Sequence, residues 1–102
     1  MEKQEVHSFN DIVNCIKNSS ADFRELIDLC RKTHELAFDY NTAKTFDSET
    51  KTKELQNEIR SQLIKILDII KNRFSYNSDT MDLTEDNLFN EIIMAISKVE
   101  DR

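Results

Sequence analysis

Cys30 and His34 are the two residues whose types and spacing come nearest to a reactive centre. They stand four residues apart in a helical pattern, one turn from each other, where an imidazole can accept a proton from a thiol. His34 alone suggests a phosphoacceptor or an acid–base group. However, no other residue indicates an oxyanion site or a third orienting group, and both side chains fall on the apolar line of a predicted helix. We therefore interpret both as core residues and predict no catalytic site.

Metal ligands do not occur at the usual spacings. A carboxylate-bridged metal site in a helical bundle needs a glutamate three residues before each histidine, and those positions hold Gln4 and Arg31. Cys15 and Cys30 lack the paired spacings of a zinc site. We predict that the protein binds no metal and no cofactor.

The absence of glycine, proline and tryptophan excludes several kinds of site. Phosphate-binding loops and dinucleotide fingerprints need glycine, because only glycine lets the backbone approach a phosphate closely. A nucleophile elbow needs flanking glycines for the same steric reason. Tight β-hairpins also depend on glycine-containing turns, which favours an all-α fold. The composition therefore predicts a helical protein that is not an enzyme.

The last quarter of the chain is strongly acidic. Residues 78–102 contain two basic and seven acidic side chains, a net charge of −5 out of −6 for the whole chain. This balance argues against direct binding to nucleic acid, which requires a basic surface. The same carboxylates suit an alternative function, an acidic inhibitor of phage or immunity type that mimics nucleic-acid charge to block a nucleic-acid-binding protein. Helix capping and solubility explain them more simply. The carboxylates concerned are Asp79, Asp82, Glu85 and Asp86.

The sequence predicts a cytoplasmic protein that does not enter a membrane. The first five residues are polar and acidic rather than basic and apolar, unlike a secretory signal. No apolar run approaches the roughly 18 residues that span a bilayer. Cys15 and Cys30 both fall within helical patterns, so we expect two buried free thiols rather than a disulfide.

Hydrophobic spacing predicts four helices of unequal length in a single domain, residues 1–102. Ser8 and Thr84 resemble the caps of the first and last helices. A second helix opens near Ser19 and ends near Tyr40, or near Lys44 in a longer alternative. The third and longest runs from about residue 49 to 76, with Ser48 as its cap. We predict an antiparallel bundle around this long helix, lopsided because its neighbours are shorter, with residues 1–7 frayed.

The third helix carries more apolar surface than one core stripe needs. Ile64 and Ile69 lie on opposite flanks of the stripe. Burying each would contribute roughly 1.5–3 kcal/mol, whereas exposing both would leave a patch that soluble monomers tend to avoid. Either the chain's own helices cover them or a partner does. Our leading hypothesis is a protein-binding module or regulator that presents a helical face to a protein partner, or to a second copy as a homodimer. The core stripe consists of Leu55, Ile59, Leu63, Ile66, Leu67, Ile70 and Phe74.

Overall fold

The computed structural model describes residues 3–46 and 48–99 and confirms the predicted all-α bundle of four helices. None of the helices formed by these residues is long and apolar enough to cross a membrane. The last helix, α4, has three parts: a first turn, a π-helical stretch and a final turn. The elements in chain order are β1 (Gln4–Glu5), α1 (Phe9–Asn18), α2 (Arg24–Thr45), α3 (Glu49–Arg73), β2 (Phe74–Ser75) and α4 (Glu85–Asn87, Leu88–Ile93 and Met94–Ile96).

Helices α2 and α3 form an antiparallel hairpin, the most extensive helix pairing in the described part of the chain. Helix α2 begins at Arg24, later than the predicted opening near Ser19, because residues 19–23 form turns before the helix. It ends at Thr45, one residue beyond the longer alternative. Helix α3 is 25 residues long, which corresponds to about 37 Å at 1.5 Å per residue. It ends at Arg73, three residues earlier than predicted.

Two short parallel strands stand where the sequence predicted fraying of residues 1–7 and a last turn of α3. Gln4 lies opposite Phe74 and Glu5 opposite Ser75, and the Val6 N–H donates to the Ser75 carbonyl at 2.9 Å. Val6 is only 2% exposed. The prediction of fraying is therefore wrong for residues 4–6, because apolar burial and backbone pairing offset the entropy lost on ordering them. Residues 1 and 2 lie outside the described part of the chain.

Local capping sets two of the predicted helix starts. The Ser8 hydroxyl accepts a bond from the Asp11 N–H at 3.3 Å, and the Asp11 carboxylate accepts one from the His7 N–H at 2.8 Å. The Thr84 hydroxyl accepts from the Asn87 N–H at 3.3 Å, as the capping pattern predicts. Ser48 stands at the N-cap of α3, but its side chain makes no capping bond. Side-chain capping bonds thus stabilise the first turns of α1 and α4, whereas α3 begins without such a bond.

The hydrophobic core occupies one end of the hairpin, which makes the bundle lopsided as predicted. It takes in Phe23, the first turns of α2 as far as Cys30, and α3 from Leu63 to Ile70, against which α1 and α4 pack. The π-helical stretch belongs to this core: its Leu88, Ile92 and Ile93 are fully buried. In the far half of the hairpin, which we define as residues 34–60, the buried side chains among the described residues are Ala43 and Leu55. The molecule measures 46 × 34 × 20 Å.

Candidate protein-binding site

Ile64 and Ile69 have different environments, although the sequence predicted the same role for both, as flanks of the core stripe of α3. Ile64 is 58% exposed, whereas Ile69 is half-buried and packs against the core. Five residues correspond to about 140° around a helix, so one flank of α3 can be covered while the other faces solvent. The chain therefore covers one of the two residues and leaves the other open. The two isoleucines do not form a single apolar patch.

The two most exposed large apolar side chains in the described residues lie in the far half of the hairpin. Phe38 of α2 is 70% exposed, and Phe46, which caps the end of α2, is 78% exposed. Thr42 and Thr45 follow Phe38 by four and seven residues, so all three share one face of the helix. We call Phe38, Thr42, Thr45 and Phe46 the apolar strip.

Backbone bonds make this strip less polar than its composition indicates. The Thr42 hydroxyl donates to the Phe38 carbonyl at 3.1 Å, and the Thr45 hydroxyl donates to the Asn41 carbonyl at 2.9 Å. Both hydroxyls are therefore used inside their own helix, a common arrangement for threonine in helices. A partner that covered the strip would meet two phenyl rings and threonines whose donors are already occupied.

Neither Phe38 nor Phe46 was among the contact residues predicted from the sequence. Spacing along α2 gave no signal for the strip. Phe38 follows the buried Ile27 by eleven residues, which places the two side chains about 20° apart around the helix. Phe38 is nevertheless 70% exposed while Ile27 belongs to the core, so its exposure depends on which helices pack beside it.

A cleft opens where α2, α3 and the start of α4 meet. Its volume is about 340 Å³. A second depression of about 280 Å³ shares part of its lining and continues it toward Asn57 and Arg60. We call the first of these the cleft, and its walls combine apolar, amide and carboxylate side chains. The residues that line it are Ala37, Tyr40, Asn41, Gln56, Ile59, Leu63, Glu85, Asp86 and Phe89.

The structure divides the four predicted carboxylates into two pairs. Glu85 and Asp86 line the cleft, whereas Asp79 and Asp82 lie in the connection between β2 and α4 and do not. All four are exposed. Glu85 forms an ion pair in which its Oε1 lies 3.8 Å from Arg60 Nε, with side chains 44% and 71% exposed. The four predicted carboxylates thus do not form a single surface, and two of them belong to the rim of the cleft.

Cys30 and His34 are not arranged as a nucleophile and its base. The Cys30 side chain is fully buried, and desolvation by burial raises the pKa of its thiol to about 12. The thiol therefore stays protonated near neutral pH, and a thiol is a weak nucleophile. Between residues 30 and 34 the structure shows no hydrogen bond linking the two side chains, and His34 is half-buried. Both cysteines are free thiols; Cys15 is only half-buried, less than predicted.

Comparisons with known proteins identify no relative. No family model matches the sequence, and no curated protein or solved structure matches it. Within residues 3–46 and 48–99, no three side chains of histidine, cysteine, aspartate or glutamate gather in a way that could hold a metal ion.

Proposed function

We propose that this protein is a non-enzymatic, cytoplasmic protein-binding module that presents the far half of its α2–α3 hairpin to a protein partner. The apolar strip is the observation that carries this proposal, since Phe38 and Phe46 are 70% and 78% exposed. Covering each phenyl ring at an interface would contribute roughly 1.5–3 kcal/mol. Aromatic side chains supply much of the binding energy of protein interfaces when they enter a partner's pocket.

The position of the strip supports the same proposal. Phe38 and Phe46 are exposed and lie outside the hydrophobic core, so a partner can reach the strip without displacing the core. Helix α2 pairs with α3 more extensively than any other two helices of the described residues do, so the strip stands on a paired helix. An element that is held in place before binding loses little conformational entropy, which favours affinity.

A homodimer is the alternative occupant of this face. In that case Phe38 of one copy would pack against the strip of the other, and the interface would be symmetric. Ile64 of α3 stays a predicted contact residue for either partner because it is 58% exposed. Solution mass separates the two cases, since only the homodimer doubles the mass without a second protein.

The experiment compares three variants with the native chain in partner capture from source lysate and in light scattering. Phe38→Ser with Phe46→Ser removes both rings of the strip. Met94→Ser is the matched control, because Met94 is an exposed apolar residue of α4. Ile64→Ser tests whether the interface extends to α3. We expect the double variant to lose the partner or the dimer, with affinity at least tenfold weaker, roughly 1.4 kcal/mol, and the Met94 variant to keep it.

The proposal is wrong if the double variant recovers the same partner as the native chain, with the same mass and melting temperature. It is equally wrong if the native chain is monomeric and the Phe38→Ser, Phe46→Ser variant captures every protein that the native chain captures.

A second candidate function is an acidic inhibitor that mimics nucleic-acid charge. Its support is the exposure of Asp79, Asp82, Glu85 and Asp86, of which only Glu85 forms an ion pair in the described residues. Reversing all four charges to lysine would abolish binding to a nucleic-acid-binding protein while the helical content stays unchanged by circular dichroism. Binding that survives the reversal excludes this function.

A further inference from the structure

We propose that the cleft binds an arginine side chain on a basic segment of the partner protein. This inference rests on the proposed protein-binding function and adds the chemistry of the partner to it. Three features of the cleft carry the argument: apolar and aromatic walls, a surplus of negative charge at the rim, and a size that suits one long side chain.

The walls fit the hydrocarbon part of arginine. Ile59 and Leu63 of α3 and Phe89 of α4 line the cleft, and Tyr40 of α2 adds a second ring. Arginine commonly lays its methylene stem along apolar surface and keeps its charged end near water. Its planar guanidinium also stacks on aromatic faces, which lysine does less well. The cleft therefore offers contacts to both parts of one arginine side chain.

The rim carries more negative than positive charge. Glu85 and Asp86 both line the cleft, whereas Arg60 lines only the adjoining depression. Arg60 Nε lies 3.8 Å from Glu85 Oε1, which is an ion pair but too long for a hydrogen bond. Asp86 makes no ion pair with any residue that the structure describes. Two carboxylates against one guanidinium leave a net charge of about −1 to attract a second cation.

Arg60 shows in addition that a guanidinium can approach this rim. An arginine from a partner would approach Glu85 and Asp86 from the cleft side, where no basic residue stands among the lining residues. Asn41 and Gln56 also line the cleft and supply amide oxygens as acceptors for further N–H groups. Arginine has five such donors, so a mixed set of carboxylate and amide acceptors suits it.

The size of the cleft and the geometry of α4 agree with this occupant. A volume of about 340 Å³ is near the lower end for ligand sites, so it suits one side chain better than a packed helix. Phe89 belongs to the π-helical stretch of α4, whose Leu88 and Ile92 are fully buried in the core. π-Helical turns are frequent at functional sites. In α4 this stretch places core residues, Leu88 and Ile92, and a cleft residue, Phe89, on one short segment.

The test is a titration of the full chain with N-acetylarginine amide, followed by the chemical shifts of backbone amides in nitrogen-15 NMR spectra. N-acetylcitrulline amide is the control, because it has nearly the same shape without the charge. We expect arginine to shift the amides of Asn41, Gln56 and Phe89, and citrulline to leave them nearly unchanged. The double variant Glu85→Gln, Asp86→Asn should bind roughly fivefold to tenfold more weakly.

Two further variants separate the cleft from general acidity. Asp79→Asn with Asp82→Asn removes the same charge away from the cleft and should change affinity by less than about twofold, since exposed charges are screened. Arg60→Gln removes the competing guanidinium and should strengthen binding roughly twofold to fivefold. A general attraction between an acidic protein and a cation predicts equal losses in the two acidic double variants.

The inference is overturned if citrulline shifts the same amides as arginine. It is also overturned if the Asp79 and Asp82 variant loses as much affinity as the Glu85 and Asp86 variant, or if no amide of the cleft shifts. Each of these results leaves the apolar strip untouched as the binding surface. Failure of the proposed function is recognised separately, by partner capture that does not depend on Phe38 and Phe46.

Discussion

The ring of Phe74 stacks on the ring of Phe23, with centroids 5.6 Å apart and planes only 6° from parallel. Arg73 completes the contact: its guanidinium carbon lies 4.5 Å from the Phe23 centroid, and its side chain donates to the Asp22 carbonyl at 3.4 Å. Cation–π and stacking contacts of this kind add to the burial of the rings. The end of α3 thus holds the start of α2, at the point where β2 pairs with β1.

Replacing Phe74 with alanine should lower the free energy of unfolding by about 3–5 kcal/mol, because Phe74 is fully buried and a cavity remains. Urea denaturation followed by circular dichroism measures the change. Phe46→Ala is the matched control, since it removes the same ring from an exposed site and should change stability by less than about 0.5 kcal/mol. Equal losses in the two variants would contradict the burial on which both expectations depend.

Gln62 of α3 should gain stability on conversion to methionine. Its Oε1 is buried and has no hydrogen-bond partner among the residues that the structure describes. An unsatisfied buried acceptor costs about 1–3 kcal/mol, and methionine has nearly the same length without the amide. We expect Gln62→Met to raise the free energy of unfolding by about 1 kcal/mol in urea denaturation, and the exposed Gln56→Met to leave it unchanged. A destabilised Gln62→Met protein would contradict this expectation.

The Cys30 thiol should make stability depend on pH in the alkaline range. Burial raises its pKa from 9.0 to about 12, so the folded state keeps a proton that the unfolded chain releases. The stabilisation is fully present below pH 9 and is lost as the pH rises toward 12, at a rate approaching 1.4 kcal/mol per pH unit, about tenfold in the equilibrium constant. Denaturation at pH 8, 9.5 and 10.5 measures this slope.

Cys30→Ala is the control for that slope. It lacks the thiol but keeps the lysines and tyrosines that also titrate at alkaline pH, so the difference between the two proteins isolates Cys30. The expectation fails if both proteins lose stability in parallel between pH 8 and 10.5.

Interactions between residues close in the sequence made much of this fold predictable, whereas contacts between distant residues could not be predicted. The caps at Ser8 and Thr84 act over three residues, so the sequence around each contains the whole interaction. The pairing of Gln4–Glu5 with Phe74–Ser75 involves two residues on each side and has no periodicity to detect. The strand pair also explains why α3 stops at Arg73, since Phe74 adopts an extended backbone.

The candidate site was predictable only in part for a related reason. Glu85 and Asp86 were identified as candidate contact residues, but the cleft beside them forms from α2, α3 and α4 together. Which flank of α3 is covered depends on where α1 and α4 pack, and this separates Ile64 from Ile69. Spacing along one helix gives the angle between two side chains but not the neighbour that each one meets.

The parallel pairing of β1 with β2 cannot form during synthesis until β2 has left the ribosome. Gln4 leaves the ribosome seventy residues before Phe74, its partner in register. At about 5–20 residues per second, this interval lasts roughly 4–14 seconds. Throughout it the backbone of Gln4–Glu5 has no strand to join, and Val6 has no pocket to fill. The speed of translation through α2 and α3 therefore determines how long residues 4–6 of the nascent chain are open to other chains.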